Sequence, residues 1–423
     1  MTQALLEELK ITLLPSLVDF LNTRFPGATD TPEFKDQARR RIERLASRGA
    51  RRQWDVLTPQ ERQQLVEELL DEVLGLGPLG GLLRDRSVSE IMVNGLSEVF
   101  IERDGRVERL NRGFRDHNHL LSVIEKLLAS VGRQVTQLEP CADVRLPDGS
   151  RINVAIPPIA VGGPYVTIRK FTHDIKTLDD LIRTESLNAQ AGQFLQLCVR
   201  GRLNLVVSGP ASSGKTVLLN LLLSSVTPVE RLIIIEDAVE LQVRHPNVVR
   251  LATRPPSIEG RGELAIRQLL RSALHMRPDR IVIGEVRGAE ALDMLQAMNT
   301  GHDGSMTTLH ANSPADVFER ITTMALMSEL ELSALAIQRQ ARSAIDLIVQ
   351  MERSVDGSRN VSSIQEVVKE PDATGARLTE LYTRTRDPAA ATSGRLRATG
   401  AVPQCVQKLA RRGMAVPPEL FRP

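Results

Sequence analysis

Aromatic residues and cysteines are scarce in this chain of 423 residues. Aromatic side chains make up 3% of it, which leaves little surface for stacking bases and counts against a channel for single-stranded nucleic acid. The three cysteines, Cys141, Cys198 and Cys405, are far apart and show no CxxC spacing. This pattern argues against a disulfide framework or a four-cysteine zinc site, and it favours a reducing compartment.

Long apolar runs are missing as well. The longest candidate, residues 217–226, is interrupted by Asn220 and Ser224 and is far shorter than a membrane-spanning helix. The N-terminus lacks a basic region followed by an apolar one, so no secretory signal is predicted. Lys and Arg number 54 against 52 Asp and Glu, so bulk charge does not require a nucleic-acid partner. We therefore expect a cytoplasmic protein whose association with a membrane is peripheral.

The chain is too long for one compact core, and its pattern of predicted secondary structure changes twice along its length. Residues 1–75 have helical patterns, including a capping box at Thr58–Glu61. Residues 76–172 contain short strands, the turn dipeptides Asp104-Gly105 and Asp148-Gly149, and one helical stretch, and they predict a small α+β domain. Residues 173–423 alternate apolar strands with helices, which is typical of an α/β domain around a parallel sheet.

Finer predictions follow from the same patterns. In the small domain we expect strands at 99–102 and 151–156 and a helix at 120–131. Residues 172–187 are expected to form a linker followed by a helical approach to the nucleotide-binding core. In the α/β domain a hairpin is expected at 360–384 and a mobile loop at 387–394. The strands predicted there are 203–207, 231–235, 280–283, 305–309 and 344–350.

A basic run marks the helix that is predicted to start at Thr31-Pro32. It allows two interpretations: a surface for anionic lipid or an acidic partner, or a solvated face that Asp36 and Glu43 partly neutralise. The run comprises Lys35, Arg39, Arg40, Arg41, Arg44, Arg48, Arg51 and Arg52.

Residues 209–216, Gly-Pro-Ala-Ser-Ser-Gly-Lys-Thr, form a complete GxxxxGK[ST] phosphate-binding loop between an apolar strand and a helix. Its backbone N–H groups and the positive end of the helix can face a polyphosphate. Lys215 can reach the β and γ oxygens, and the Thr216 hydroxyl can ligate Mg²⁺. The chain is therefore predicted to bind ATP with Mg²⁺. The predicted binding residues are Gly209, Pro210, Ala211, Ser212, Ser213, Gly214, Lys215, Thr216 and Val217.

Two acidic positions follow apolar strands. Glu236 ends the run 232–235, and Glu285 comes after 281–283 and Gly284. Ligands of open α/β sheets bind at the carboxyl ends of the strands. Phosphoryl transfer to water needs one acid near Mg²⁺, commonly through water, and another to orient the attacking water. Together with the loop, these two glutamates supply both functions.

Histidines and arginines complete the candidate site. His302 and His310 flank the strand predicted at 305–309, and a sensor role toward the γ-phosphate is reasonable for them. The small domain carries three arginines whose guanidinium groups suit phosphate contacts, with exposed surface positions as the alternative. They are Arg145, Arg151 and Arg169.

Taken together, several motifs resemble the secretion ATPase superfamily, the traffic motors of type II and type IV secretion, type IV pili and archaeal flagella. Upstream segments look like the branch that serves tight-adherence (Flp) pili. The superfamily motifs are Arg254–Gly260, Met276–Gly288, Gly301–Ser305 and His310–Ser313, and the upstream segments are Gly77–Leu79 and Val88–Gly95.

The resemblance implies a RecA-like motor domain, an N-terminal domain that swings against it, and a hexameric ring. It places Glu236 at the water-activating position, Glu285 at the Walker B glutamate near Mg²⁺, and both histidines in the histidine box. The three arginines match the region that reaches the nucleotide as the domains close. Gly284 departs from the Walker B aspartate of many P-loop ATPases, so Mg²⁺ ligation rests more on Thr216 and Glu285. The tetracysteine zinc element of many pilus-extension relatives is also missing.

The resulting hypothesis is a hexameric, Mg²⁺-dependent ATPase at the inner face of the bacterial inner membrane. It would engage an inner-membrane platform protein and drive assembly of a tight-adherence pilus or protein secretion. One alternative is a DNA-translocating RecA-like ATPase of a conjugation or type IV secretion system. Another is a non-enzymatic, nucleotide-gated scaffold, which the two glutamates disfavour.

Overall fold

The structure of the protein is a computed structural model in which the chain forms two compact units, Met1–Thr172 and His173–Pro423. In the part of the chain that the structure describes, no helix is long and apolar enough to cross a bilayer. The described residues are 9–10, 12–17, 32–49, 51–73, 75–103, 105–111, 113–146, 148–170, 175, 177–254, 262–328, 332–354, 356–369, 377–385 and 394–423.

The first unit begins with helices that share an apolar core. Helices α1 (Pro32–Gly49), α2 (Arg51–Val56) and α3 (Pro59–Val73) follow one another along the chain. The predicted capping box is present, since Thr58 N donates to Glu61 Oε2 over 2.7 Å and Glu61 N donates to Thr58 Oγ1 over 3.3 Å. The core that these helices build includes Leu9, Leu17, Ile42, Leu65 and Leu69.

The rest of the first unit is a six-stranded antiparallel sheet with the order β3-β2-β1-β6-β5-β4. Short helix α4 (Leu79–Arg84) precedes β1, and α5 (His117–Ala129) packs its apolar side into the same core as the sheet. On β5 and β6, buried and exposed residues alternate, so one face is core and the other is solvated. The strands are Val88–Asn94 (β1), Val99–Arg103 (β2), Arg106–Leu110 (β3), Cys141–Arg145 (β4), Arg151–Ala155 (β5) and Tyr165–Arg169 (β6).

The second unit is built on a nine-stranded sheet with the order β15-β14-β13-β12-β7-β11-β10-β8-β9. The neighbouring strands β9, β8, β10, β11, β7 and β12 are parallel to one another. Strands β13, β14 and β15 extend the sheet in antiparallel pairs. Its strands are Leu205–Ser208 (β7), Leu232–Glu236 (β8), Val248–Ala252 (β9), Arg280–Ile283 (β10), Met306–Leu309 (β11), Leu347–Arg353 (β12), Arg359–Val368 (β13), Arg377–Arg384 (β14) and Leu396–Ala398 (β15).

Helices cover both faces of the parallel part. On β7, Leu205 and Val207 join the core on one side while Val206 joins the core on the other. This burial on both faces explains the nearly continuous apolar strands of this unit. The helices are α6 (Leu178–Arg183), α7 (Ala189–Arg200), α8 (Lys215–Leu223), α9 (Ile266–Leu274), α10 (Glu290–Asn299), α11 (Asp316–Leu326), α12 (Ala334–Ala344) and α13 (Cys405–Arg411).

The predicted fold class is confirmed: an α/β unit with a phosphate loop between a buried strand and a helix, and a smaller unit with mixed strands and helices. Strand 344–350 was placed too early, because α12 runs to Ala344 and β12 starts at Leu347. Strand β9 was missed. The helix predicted within 172–187 is present as α6. The separate helical domain 1–75 stays a prediction. Outside the described residues lie Asp104, most of 254–260 and the predicted loop up to residue 393.

Candidate active site

Four parallel strands bring the candidate residues that end or follow them to one edge of the sheet. Strands β8, β10, β11 and β7 are neighbours, and all point the same way. Glu236 is the last residue of β8. Gly284 and Glu285 follow β10, His310 follows β11, and Gly209 follows β7. This edge is where open α/β sheets bind ligands, because loops and helix N-termini converge there.

The loop after β7 has the backbone of a phosphate cradle. Gly209 has φ 152°, Ser212 has φ 57° and Gly214 has φ 95°, and L-residues with side chains rarely adopt such values. A Cβ on Gly209 would also lie 2.5 Å from the Met351 carbonyl oxygen, so a side chain cannot fit there. Because no side chain covers the loop at Gly209 and Gly214, its backbone N–H groups can approach an anion closely.

Lys215 is folded into this loop rather than extended into solvent. It is the first residue of α8, its exposed fraction is 7%, and its Nζ donates to the Pro210 carbonyl over 2.9 Å. Ser213 Oγ donates to the same carbonyl, also over 2.9 Å. Burial lowers the pKa of Lys215 below its usual 10.5, and the carboxylate of Glu285 opposes that shift. The ammonium group thus lies against the cradle with a loop carbonyl as its partner.

His310 connects Lys215 to Glu285. Its Nδ1 lies 3.4 Å from Lys215 Nζ, and its Nε2 lies 2.6 Å from Glu285 Oε1. Burial lowers the pKa of His310 below 6.5, the Lys215 ammonium lowers it further, and Glu285 opposes both effects. The neutral ring that results can accept from Lys215 at Nδ1 while carrying its proton on Nε2. The three side chains form one continuous polar row at the mouth of the loop.

Glu285 is held from both sides by the neighbouring strand. Thr308 Oγ1 donates to the Gly284 carbonyl over 2.7 Å, and Val286 N donates to the Thr308 carbonyl over 2.9 Å. Arg287 Nε donates to Glu285 Oε2 over 2.8 Å. Because the backbone before and after Glu285 is tied to β11, its carboxylate is fixed beside His310.

Glu236 is more deeply buried than Glu285. Its exposed fraction is 3%, and its Oε1 accepts from Glu240 N over 2.8 Å and from Leu241 N over 2.9 Å. Its Cγ lies 2.9 Å from the point where a Cβ on Gly284 would be. Because residue 284 is a glycine, there is room for the Glu236 side chain from the adjacent strand.

His302 does not join this group. It precedes β11, whereas His310 follows it, so the two histidines lie at opposite edges of the sheet. The four residues of β11 that lie between them alone span about 13 Å. His302 Nδ1 instead lies 3.2 Å from the Ala297 carbonyl near the end of α10. The structure therefore does not bring His302 to the loop edge together with His310, and its expected role near the terminal phosphate stays a prediction.

The three arginines of the first unit form a cross-strand row. Arg145 pairs with Arg151, and Arg151 pairs with Arg169 in the registers of β4, β5 and β6. Arg151 Nε and a terminal nitrogen bind both oxygens of Asp143 over 2.9 and 2.6 Å, and Arg169 lies 3.5 Å from a Glu90 oxygen. Their shared row is a structural finding, and their function toward a nucleotide stays a prediction.

Three residues near the site were missed by sequence reasoning. They are Thr308 and Arg287, described above, and Gln350 on β12, whose Oε1 accepts from Ser208 Oγ over 2.5 Å and whose Nε2 donates to the Ala311 carbonyl over 3.1 Å. Gln350 is 4% exposed within the otherwise apolar run 347–351. A buried polar residue inside such a strand is the signal that could have identified it.

The residues present suit a hard divalent cation shared with a phosphate. Thr216 stands in the first turn of α8, next to Lys215, and Glu285 supplies a carboxylate oxygen at the same edge. Mg²⁺ typically takes one or two protein oxygens together with substrate phosphates and water. Among the described residues there is no cluster of three or more His, Cys, Asp or Glu side chains that could hold a metal ion.

Comparisons with known proteins agree with these features. A family model described as type II/IV secretion system protein matches residues 72–408. A putative conjugal transfer protein of Mycobacterium tuberculosis (strain CDC 1551 / Oshkosh) is 33% identical over 302 residues, which cover 70% of this chain and 85% of that protein. The conjugal transfer protein TrbB of Rhizobium radiobacter is 33% identical over 290 residues, 68% of this chain and 84% of that protein.

A type IV secretion relative has a solved structure. The type IV secretion system protein VirB11 of Brucella suis biovar 1 is 33% identical over 318 residues, 68% of this chain and 88% of that protein. The crystal structure of the VirB11 ATPase from Brucella suis in complex with sulphate covers 68% of this chain and 95% of its own, with 32% identity and a TM-score of 0.38. The family model and the sequence identities to these relatives confirm the superfamily that the motifs predict. The chain belongs to the type II/IV secretion system protein family.

Proposed function

We propose that this protein binds ATP at the loop 209–216 and hydrolyses it to drive a conjugation or type IV secretion machine. The observation that carries the proposal is the row Lys215–His310–Glu285 at the mouth of the loop. It joins the lysine of the loop to an acidic group through the imidazole ring of His310. Through this row, phosphate binding at the loop would change the contacts of the Glu285 carboxylate, which follows a different strand.

The loop residues would act first. Backbone N–H groups of 211–214 and the N-terminus of α8 would donate to the β and γ phosphates. Lys215 would exchange the Pro210 carbonyl for phosphate oxygens, since a charged acceptor binds an ammonium group more strongly than a neutral carbonyl does. Thr216 and Glu285 would hold Mg²⁺, Glu285 through water. When bound, Mg²⁺ would offset negative charge on the phosphate oxygens.

The glutamates and arginines would then act on the transfer itself. Glu236, whose orientation is fixed by the amides of Glu240 and Leu241, would orient the attacking water. His310 would report the presence of the γ-phosphate through its contact with Lys215. The guanidinium groups of Arg145, Arg151 and Arg169 would stabilise charge on the γ-oxygens when the domains close.

Conjugation and type IV secretion fit the relatives better than the tight-adherence pilus. The curated relatives described above are named conjugal transfer proteins and a type IV secretion system protein. Pilus assembly stays a second candidate, because the upstream segments Gly77–Leu79 and Val88–Gly95 look like that branch. We further propose a hexameric ring that works at the inner face of the inner membrane against a platform protein.

The chemical part of the proposal is tested by steady-state phosphate release. Lys215→Ala should abolish turnover and weaken nucleotide binding, whereas Glu285→Gln should bind ATP yet turn over slowly. Lys126→Ala removes an exposed lysine of the first unit and is the matched control. Normal turnover by Lys215→Ala would refute the site, and release of no more than one phosphate per site by the unaltered protein would point to a nucleotide-gated scaffold instead.

The biological part is tested in the cell. A strain that carries only Lys215→Ala should lose transfer of a conjugative plasmid or of a secreted substrate while it keeps its surface fibres. Loss of fibres with normal transfer would favour the pilus function. Steep, salt-dependent stimulation of the purified ATPase by single-stranded DNA would indicate that the protein itself moves DNA.

A further inference from the structure

A groove between α1 and α2 is independent of the site described above. It has a volume of about 360 Å³ and lies in the helical part of the first unit, ahead of the residues that the family model matches. Two arginines, a hydroxyl group, one acid and the edge of an indole line it. These residues are Arg40, Glu43, Arg44, Ser47 and Trp54.

The arginines of α1 are not equivalent. Arg39 forms an ion pair with Glu67 of α3 at the surface, so its charge already has an acidic partner. Arg40, Arg44 and Arg48 recur every four residues, are exposed, and therefore follow one side of the helix over about 12 Å. Arg40 has Asp36 at 2.8 Å. Within the described residues, no ion pair reaches Arg44 or Arg48.

Positive charge is concentrated in these two helices. Residues 32–56 contain eight basic and four acidic residues and so carry a net charge of +4, whereas the whole chain carries +2. Like charges four residues apart destabilise a free helix. An anionic surface would remove this repulsion, and the long arginine side chains can reach such a surface while the helix rests on it.

We infer that this arginine face binds the headgroups of an anionic phospholipid membrane. Clusters of four to eight basic residues on an amphipathic helix suit acidic lipid headgroups, and residues 32–56 supply eight, of which Arg40, Arg44 and Arg48 follow one side of α1. Val56, at the end of α2, is 72% exposed and offers an apolar contact beside the charges.

Nucleic acid fits this face less well. Trp54 is the aromatic side chain described in α1–α3, and it is only 8% exposed. Its ring is already covered by the guanidinium group of Arg62, whose Cζ lies 5.5 Å from the ring centroid. Base stacking, which carries much of the binding of single strands, therefore has no free partner among the described side chains of these helices.

The test compares two double variants of the full chain that remove the same charge. Arg44→Gln/Arg48→Gln acts on the proposed face, and Arg106→Gln/Arg133→Gln removes two other exposed arginines of the same unit. Sedimentation with vesicles that contain phosphatidylglycerol in phosphatidylcholine should show binding by the unaltered protein and the control, and about 30-fold weaker binding by the first variant. Vesicles of pure phosphatidylcholine should not bind, and 0.5 M salt should release the protein.

Trp54 is the single tryptophan of the chain and lines the groove, so its emission locates the contact. The emission should change when anionic vesicles are added to the unaltered protein. Equal vesicle binding by both double variants would overturn the proposal, as would vesicle binding without an emission change. Absence of vesicle binding together with DNA binding that only Arg44→Gln/Arg48→Gln loses would assign the face to nucleic acid. ATP turnover should be equal in both variants, so failure of this proposal is distinguishable from failure of the proposed ATPase.

Discussion

Glu236 occupies the space that a side chain on Gly284 would need. The Glu236 Cγ lies 2.9 Å from the ideal Cβ position of Gly284, on the neighbouring strand. Real Cβ atoms essentially never approach that closely, so any side chain at 284 must displace Glu236. The glycine and the buried glutamate are thus two parts of one arrangement at the end of β8 and β10.

The first prediction concerns Gly284→Ala. The added methyl group should push Glu236 out of the orientation set by Glu240 and Leu241 and misplace the attacking water. Displacement of a catalytic group by about 1 Å can cost on the order of 10²-fold in rate. We expect kcat to fall at least about tenfold while ATP binding is retained, and steady-state phosphate release with nucleotide titration measures both.

Gly81→Ala is the control for this change, because a Cβ at Gly81 meets no atom within 4 Å. Its turnover should equal that of the unaltered protein. Gly284→Asp, which restores the aspartate of other P-loop ATPases, should be at least as impaired as Gly284→Ala. Full activity of Gly284→Asp would show that Glu236 does not need this space.

The second prediction separates the two histidines. His310→Gln should lower kcat by about tenfold, because it breaks the row between Lys215 and Glu285. His302→Gln should change kcat by less than about twofold, because His302 lies at the opposite edge of the sheet. Similar losses in both variants, with unchanged thermal unfolding, would restore His302 to the site.

Much of this edge could be predicted from the sequence. The phosphate loop has a local pattern, and the acids follow apolar strands, so parallel pairing alone brings Lys215, Glu236 and Glu285 together. His310 could be assigned for the same reason, since it follows a strand. The apolar strands themselves were predicted because both faces of the sheet are buried.

The remaining features depend on contacts that no local pattern encodes. His302 and His310 flank the same strand in the sequence, and only the direction of β11 tells which of them reaches the loop. Strand β12 begins after α12 ends, and Asp346 at that junction accepts from Asn204 N over 2.9 Å, a contact 142 residues distant. Gln350 acts between two loops that meet only in the folded chain.

The third prediction assigns Gln350 as a positioning residue. Its amide joins Ser208, just before the phosphate loop, to Ala311, just after His310. Gln350→Leu should leave a buried hydroxyl and a buried carbonyl without this partner, which costs about 1–3 kcal/mol of stability. It should also lower kcat about three- to tenfold with little change in KM for ATP, because the loops that carry Lys215 and His310 lose their fixed spacing.

Gln365→Leu is the matched control for this variant. Gln365 lies on β13, opposite Ile348, and is partly exposed. It should keep its kcat and its thermal stability. If the Gln350→Leu protein is less stable but has a normal kcat, Gln350 contributes to stability and does not position the catalytic loops.

The fourth prediction concerns acid stability of the first unit. His119 on α5 is 8% exposed, packs edge-on against Phe114 with ring centroids 5.6 Å apart, and accepts from Arg115 N at Nδ1 over 3.4 Å. Burial lowers the pKa of His119 to about 4, and the nearby Arg115 adds to this effect. The ring is therefore neutral in the folded protein at pH values where it is protonated in the unfolded chain.

The sign of the effect follows from linkage. Between pH 6.5 and about 4 the unfolded chain binds the additional proton, so stability is complete above pH 6.5 and declines as the pH falls through this window. The loss should be on the order of 2 kcal/mol at the lower end. Urea unfolding followed by the fluorescence of Trp54, the single tryptophan and part of the same unit, measures it at pH 7 and pH 4.5.

His119→Gln should remove most of this pH dependence, because glutamine does not titrate. It should be less stable than the unaltered protein at pH 7, since the contact with Phe114 is lost. His117→Gln, two residues earlier and exposed, is the matched control and should keep the full decline between pH 7 and pH 4.5. An equal decline in His119→Gln would mean that other groups of the first unit, rather than the buried imidazole, take up the proton on unfolding.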